Sequence, residues 1–309
     1  MKKRFFILVL FLVIIPIISI GAYFGYTKYK NIQEERARQI LLERRITAWK
    51  LLRVTLEKEI RNFKGEAGIV IKDLSKNWEL SFNKDNLFPS ASLAKIPIMS
   101  ACFLAAEEGR LKLERNVALK SSDKLSGSGI LKDAHPGTTF TVEELIGLMI
   151  YDSDNTATNI LTNMVGIDYL NNSFKAFGLK NTNLTRKVAD FYSRDKGIEN
   201  YTTAEDMASI LEQIYRRSLV NKDVSEKCLK LLKLQRVNDR IPKYLPVDVT
   251  VAHKTGLERS VCHDVGIVFT CKGVFLICVL TKHANSNSVP SKEFIAKVAS
   301  PVYAYFEQL

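Results

Sequence analysis

The sequence predicts an α/β fold (α+β) in which one five-stranded antiparallel sheet is flanked by helices. Strand-like runs occur at both ends of the globular region, and the stretch between them, from about 92 to 220, carries helical apolar patterns. Strands from the two ends can pair in a single sheet, which brings the ends of the domain together. The predicted strands cover 68–74, 78–82, 249–253, 265–270 and 274–281.

Turn and cap signals delimit these elements. The polar residues 75–77 indicate a hairpin between the first two strands, and 272–273 indicate a turn between the last two. In the middle region, Thr203 is followed three residues later by Asp206, a spacing typical of a helix N-terminus. A closing helix is predicted over 291–306 because its apolar residues fall on one face.

The N-terminal segment predicts a membrane anchor. Residues 1–4 are basic, and 5–26 form an apolar run that would span ~33 Å as a helix, about the thickness of a bilayer core. No small-x-small cleavage site follows, so we expect an uncleaved, single-pass signal anchor that contacts lipid in the cell membrane. Residues 27–45 are predicted to form a helical linker, and 46–309 one globular domain.

The formal charge of +12 does not indicate a nucleic-acid partner. Residues 1–64 carry 14 Lys and Arg against 5 Asp and Glu, a net of +9, whereas 65–309 carry a net of only +3. A basic segment beside an apolar span fits attraction to anionic lipid headgroups. The five cysteines are scattered and odd in number, so they predict no disulfide framework.

The first chemical motif is a serine–lysine pair, Ser92 and Lys95. If Ser92 opens a helix, Lys95 lies one turn further on the same face. A serine hydroxyl is a poor nucleophile until a neighbour removes its proton, and a lysine amine can do this when its pKa is lowered by burial or nearby cations. A backbone N–H at the helix N-terminus can also stabilise an oxyanion.

Two further motifs can complete such a site. In the first motif, at 153–155, Ser153 can pass a proton to a leaving nitrogen, and Asn155 can hold Lys95 and a substrate amide. In the second, at the end of a strand, Lys254 and Thr255 can bind a substrate carboxylate. Gly256 lets substrate backbone lie against the strand edge, and the N–H of Leu257 would be a second oxyanion donor.

The order of these motifs, S-x-x-K at 92–95, S-D-N at 153–155 and K-T-G at 254–256, resembles the signature of class A β-lactamases and penicillin-binding proteins. The resemblance covers about 46 to 309, and the flanks at 125–131, 141–145 and 263–266 also look like that family. It implies a β-lactamase/transpeptidase-like fold, with an all-helical subdomain beside the sheet and the active site between them.

One position departs from the family pattern. Class A enzymes carry a loop glutamate, two residues after a loop arginine, that positions the water releasing the acyl-enzyme. Here Arg186 is followed two residues later by Val188, which cannot act as a base. Asp190 is a substitute candidate for deacylation. Glu199 is another, or it pairs with Arg186 and holds the loop.

The resemblance therefore implies a serine hydrolase that opens the β-lactam amide through an acyl-Ser92 intermediate. The alternatives are a D-alanyl-D-alanine carboxypeptidase and a slowly deacylating penicillin-binding protein or sensor, both favoured by Val188. We expect a β-lactam or D-Ala-D-Ala-type peptide as substrate, a monomeric catalytic domain and an extracytoplasmic location. No cofactor or metal is predicted, because His253, Cys262 and His263 lack ligand spacing.

Overall fold

The computed structural model describes residues 2–284 and 287–308. Contacts divide the chain into two compact units, Met1–Leu52 and Arg53–Leu309. Helix α1 (Lys2–Asn62) accounts for the first unit and for the first residues of the second, and the predicted linker at 27–45 lies within it. The predicted start of the globular domain at 46 stays a prediction.

Within the described part of the chain, no helix is both long enough and apolar enough to cross a membrane. For part of the predicted anchor at 5–26, the structure does not describe the side chains; these are the side chains of 5–8, 11–13 and 15. The anchor therefore stays a prediction.

After α1, the chain forms two strands of the main sheet, passes through a largely helical region and returns to the sheet once, with its last three strands. In chain order the elements are β1 (Glu66–Asp73), β2 (Trp78–Phe82), β3 (Phe88–Pro89), α2 (Lys95–Glu107), β4 (Asn116–Ala118), β5 (Thr139–Thr141), α3 (Val142–Tyr151), α4 (Asn155–Val165), α5 (Ile167–Ala176), α6 (Phe191–Asp195), β6 (Tyr201–Thr202), α7 (Ala204–Tyr215), α8 (Lys222–Leu232), β7 (Thr250–Glu258), β8 (Val261–Phe269), β9 (Val274–Lys282) and α9 (Val289–Glu307). Short 3-10 turns cover Ala91–Ala94, Ser121–Asp123 and Ile241–Tyr244.

The five predicted strands form one antiparallel sheet in the order β2-β1-β9-β8-β7. The N-terminal strand β1 pairs directly with the C-terminal strand β9, with Ile71 opposite Ile277. The prediction that strands from both ends of the domain share a sheet is therefore confirmed. β7 lies at one edge of the sheet, and its partner on the inner side is β8.

The observed strands β7 and β8 are longer than predicted. Both continue through polar residues that the apolar pattern could not include, among them Lys254, His263 and Asp264. These side chains are buried and hydrogen-bonded, which removes most of the cost of burying them. Two short sheets, β3–β6 and β4–β5, were not predicted, because two or three residues are too few to show a period.

Helix α2 lies in the hydrophobic core. Apolar side chains cover nearly all of its surface, and those of Ile96, Ile98, Met99, Ala101, Cys102 and Phe103 are buried. A helix that is apolar on all sides must be enclosed by other elements. The helix that begins at Lys95 is thus held by packing on every side, which fixes the position of that lysine.

Candidate active site

Ser92 lies in the 3-10 turn Ala91–Ala94, immediately before α2. The preceding residue, Ala91, has a φ of +44°, a left-handed conformation that costs a non-glycine residue about 1–3 kcal/mol. The surrounding contacts hold this turn in place. Ser90 N–H donates to the carbonyl of Asn200 at 2.8 Å, and Leu93 N–H donates to the carbonyl of Ser90 at 2.9 Å.

Gly256 lets this turn approach β7 closely. A Cβ at position 256 would lie 3.3 Å from Leu93 Cγ and 3.1 Å from His263 Cδ2. The space that a side chain would occupy is therefore filled by the residue that follows Ser92. The structure gives the glycine of the third motif a packing role in addition to the substrate contact predicted from sequence.

Lys95 is fully buried at the start of α2, and its amine has three acceptors. Nζ lies 2.6 Å from the carbonyl oxygen of Ser153, 3.1 Å from Ser153 Oγ and 2.9 Å from Asn155 Oδ1. Burial lowers the pKa of Lys95 from 10.5 to about 7, although the charges of Asp154 and Glu258 oppose this. A large fraction of the amine is therefore neutral near pH 7.

Ser153 lies between two lysines. Its Oγ is 3.1 Å from Lys95 Nζ and 3.0 Å from Lys254 Nζ. Burial and the charge of Lys95 lower the pKa of Lys254 well below its ordinary value, because two ammonium groups this close repel each other. Ser153 itself has a φ of +54°, so a second strained residue occurs at the site.

Asp154 fixes the loop and helix that present the second motif. Its carboxylate accepts from Ala157 N–H at 2.8 Å, which caps α4, and from Leu131 N–H at 2.8 Å. A Cβ at Gly129 would overlap this carboxylate, and the φ of +107° there also requires glycine. Asn155 Nδ2 donates to the carbonyl of Ser126 at 3.2 Å, so the whole motif is tied to the 125–131 loop.

An open cleft of about 230 Å³ contains the predicted nucleophile. Its lining comprises Ser92, Gly127, Ser128, Asn155, Val188, Ala189, Phe191, Arg194, Leu257, Glu258 and Arg259. Ser92, Asn155 and Leu257 therefore share one cleft. Lys95, Ser153, Lys254 and Thr255 are buried and do not line it, but the first three form one hydrogen-bonded cluster with Asn155.

The loop between α5 and β6 uses the predicted deacylation candidates as structural groups. Glu199 Oε1 accepts from Arg186 at 2.6 and 3.1 Å, the pairing that the sequence left as an alternative. The carboxylate of Asp190 caps α6 by accepting from Ser193 N–H at 3.0 Å, which lowers its pKa. Neither acid lines the cleft. Val188 does line it, and its side chain is buried.

Three charged residues of the cleft were not predicted from sequence: Arg194, Glu258 and Arg259. The side chain of Glu258 is only 15% exposed and lies 3.3 Å from Arg186 Nη2. A signal for it existed in the sequence, because alternate residues of a strand share a face. Lys254, Gly256 and Glu258 are spaced by two along β7.

Behind β7, buried histidines hold the strands together. His263 has a pKa lowered to about 4 by burial, so its ring is neutral at physiological pH. Thr281 N–H donates to its Nδ1 at 3.1 Å, and its Nε2 therefore donates to the carbonyl of Pro89 at 2.8 Å. His253 Nδ1 lies 2.9 Å from Asp264. These contacts link β8 to the segment that leads into the Ser92 turn.

Comparisons with known proteins agree with this fold. The family described as "Beta-lactamase enzyme family" matches residues 51–306, and the chain belongs to that family. The predicted resemblance to class A β-lactamases and penicillin-binding proteins is thereby confirmed.

Individual relatives extend over most of the chain. Beta-lactamase VEB-1 of Pseudomonas aeruginosa is 24% identical over 273 residues, which cover 82% of this chain and 90% of that protein. The crystal structure of a beta-lactamase from Sphaerobacter thermophilus is 28% identical with a TM-score of 0.77, covering 84% of this chain and 98% of the other. The structure of PBP-A is also 28% identical, with a TM-score of 0.76 and coverages of 84% and 97%. The chain therefore has the fold of β-lactamase-family serine hydrolases.

Proposed function

We propose that this protein is a serine hydrolase that opens the β-lactam amide through an acyl-Ser92 intermediate. The observation that carries the proposal is the buried amine of Lys95, whose pKa is lowered to about 7 while it stays hydrogen-bonded to Ser153 and Asn155. A hydroxyl nucleophile is activated when a neutral amine takes its proton, and Lys95 begins the helix that follows the Ser92 turn. Ser92 itself lies in the cleft, where a substrate carbonyl can reach it.

The acceptors around Lys95 define how the neutral amine is used. A neutral amine has two N–H donors and one lone pair. The Ser153 carbonyl at 2.6 Å and Asn155 Oδ1 at 2.9 Å can only accept, so both donors are directed to them. The lone pair is then available to a hydroxyl proton, either that of Ser92 or that of Ser153.

Acylation follows from this arrangement. Lys95 takes the hydroxyl proton of Ser92 as Oγ attacks the carbonyl carbon of the β-lactam. The N–H groups of Ser92 and Leu257 then stabilise the oxyanion. The proton passes from Lys95 through Ser153 to the amide nitrogen as the C–N bond breaks, which leaves an ester on Ser92 and a neutral Lys95. The 3.1 Å contact between Lys95 Nζ and Ser153 Oγ supports this transfer.

Lys254 gives the substrate carboxylate a role in catalysis as well as in binding. An incoming carboxylate next to Lys254 favours the ammonium form of that residue, since an opposite charge raises the pKa of a lysine. The new positive charge lies beside Ser153 and disfavours protonation of Lys95. Substrate binding would therefore help to keep Lys95 neutral for proton abstraction.

The alternative is a D-alanyl-D-alanine carboxypeptidase or a penicillin-binding protein or sensor that deacylates slowly. The specific observation in its favour is Val188, an apolar side chain in the cleft at the position where the family pattern has glutamate. Among the similar structures is a substituted form of PBP-A described as an acyl-enzyme complex with penicillin G. The same acyl-Ser92 chemistry underlies both functions.

Mass spectrometry after incubation with penicillin tests the common step. We expect a penicilloyl adduct on the parent protein and none on Ser92→Ala, because alanine has no nucleophile. Ser128→Ala, which removes a second serine of the same cleft, should still form the adduct. A parent protein that forms no adduct and consumes no penicillin would overturn the proposal.

A second measurement separates the two functions. Turnover of a chromogenic cephalosporin is compared with release of D-alanine from a cell-wall pentapeptide. Rapid cephalosporin turnover without D-alanine release supports the β-lactamase. The reverse result, with a long-lived adduct, supports the carboxypeptidase.

A further inference from the structure

The cleft wall formed by β7 carries a carboxylate in the same cleft as the nucleophile. Among the described residues that line the cleft, Glu258 is the only acid, and it shares the cleft with Ser92 and Val188. Glu258 belongs to the same strand face as Lys254 and Gly256. Leu93 packs against Gly256, close to where a side chain at that position would lie. The carboxylate thus lies on β7 just beyond the point where the Ser92 turn packs against the strand.

The hydrogen bonds of Glu258 leave part of its carboxylate available. Arg186 directs its two shortest contacts, 2.6 and 3.1 Å, to Glu199 and only a longer one, 3.3 Å, to Glu258 Oε2. Oε1 of Glu258 accepts no hydrogen bond from any residue that the structure describes. Since Glu258 lines the cleft, this oxygen is free to accept from a water there.

We propose that Glu258 is the general base of deacylation, supplied from β7 in place of the loop glutamate that Val188 replaces. This inference rests on the acyl-Ser92 intermediate of the proposed function. Glu258 takes one proton from a water as the water oxygen attacks the ester carbonyl carbon. The bond between that carbon and Ser92 Oγ then breaks, and the proton on Glu258 passes to the departing oxygen. The products are a free carboxylic acid and the original serine hydroxyl.

The charges around Glu258 are compatible with this role. The pKa of Glu258 is raised, mainly by burial and further by the charge of Glu199. The charges of Arg186 and of Arg194 in α6 partly offset this rise. A carboxylate with a raised pKa is a stronger base than an exposed one. Its charge also acts on Lys95, raising the pKa of that amine. Arg259, the next residue, lines the same cleft.

Pre-steady-state kinetics with a penicillin test the assignment by measuring acylation and deacylation separately. Glu258→Gln keeps an oxygen that can accept from Arg186 but removes the base. We expect acylation within about threefold of the parent and deacylation slower by about 10²-fold or more, the usual contribution of a general base. Glu212→Gln is the matched control, because Glu212 is an ion-paired glutamate outside the cleft. It should leave both rates unchanged.

The pH profile adds a readout that a purely structural role would not change. In the parent, the deacylation rate should fall as pH drops through the pKa of Glu258, above the ordinary value of 4.5. Glu258→Gln should lose this limb, and Glu258→Asp should restore it in part. Deacylation of Glu258→Gln at the parental rate would overturn the assignment but leave the acylation chemistry intact.

The parent protein alone can also refute the assignment, even if the variants do not fold. A parent that acylates but never deacylates, or that deacylates with no acidic limb above pH 4.5, has no general base in Glu258. A parent that forms no acyl-enzyme refutes the proposed function and this inference together.

Discussion

The pH dependence of acylation is the sharpest test of the role of Lys95. Burial lowers the pKa of this amine from 10.5 to about 7, which corresponds to about 5 kcal/mol in favour of the neutral form. At pH 7 about half of the protein then carries a neutral Lys95, whereas an exposed lysine would be neutral in only about 1 molecule in 3,000. If the neutral amine accepts the Ser92 proton, acylation should reach a plateau above about pH 8.

Below the pKa the rate should fall about tenfold for each pH unit, because only the neutral fraction reacts. At pH 5 we therefore expect acylation at about 1% of its plateau rate. The assay is stopped-flow measurement of the acylation rate constant with a chromogenic cephalosporin from pH 5 to 9, with circular dichroism to show that the fold persists. Lys95→Arg should lose activity at every pH, since arginine stays protonated. A flat profile, or a midpoint above pH 9, would refute this account of Lys95.

Two further predictions concern the loops around the cleft. Gly129→Ala should destabilise the protein by about 2–4 kcal/mol and slow acylation, because the new Cβ would overlap the Asp154 carboxylate. The control is Gly137→Ala, which is also at positive φ but has no atom within 4 Å of the new Cβ. It should lower the free energy of unfolding by only about 1 kcal/mol. Thermal unfolding compares the two, and equal losses would contradict the steric argument. Val188→Glu should shorten the acyl-enzyme lifetime by about tenfold or more, whereas Val188→Gln should not, because only the carboxylate can accept a proton from water. Deacylation rates measure this, and equal lifetimes for the two variants would exclude it.

Much of the fold could be predicted because its signals are local. The continuous apolar runs of β1 and β9 and the change to helical spacing between them are properties of neighbouring residues. The extensions of β7 and β8 were missed because their polar residues gain partners only after the chain has folded. Asp264, for example, accepts from the N–H of Ile241, 23 positions away in the sequence.

The candidate site likewise has features that the sequence predicts and features that only the folded chain shows. The types and order of Ser92, Lys95, Ser153 and Lys254 predict a serine–lysine chemistry from the sequence alone. The replacement of the expected loop acid by Val188 was also visible in the sequence. The use of Asp190 as a helix cap and of Glu199 as the partner of Arg186 was not, because both depend on the path of the loop.

By itself, the sequence determined the chemical groups of this protein: a hydroxyl nucleophile, two lysines, a bridging serine and a loop without its acid. The tertiary structure decided their properties. Burial of Lys95 against Ser153 and Asn155 lowers its pKa, and the packing of the Ser92 turn on β7 brings Glu258 into the same cleft. The physical reason is that desolvation and charge–charge interactions depend on distances in space, which residues 58 to 166 positions apart acquire only through folding.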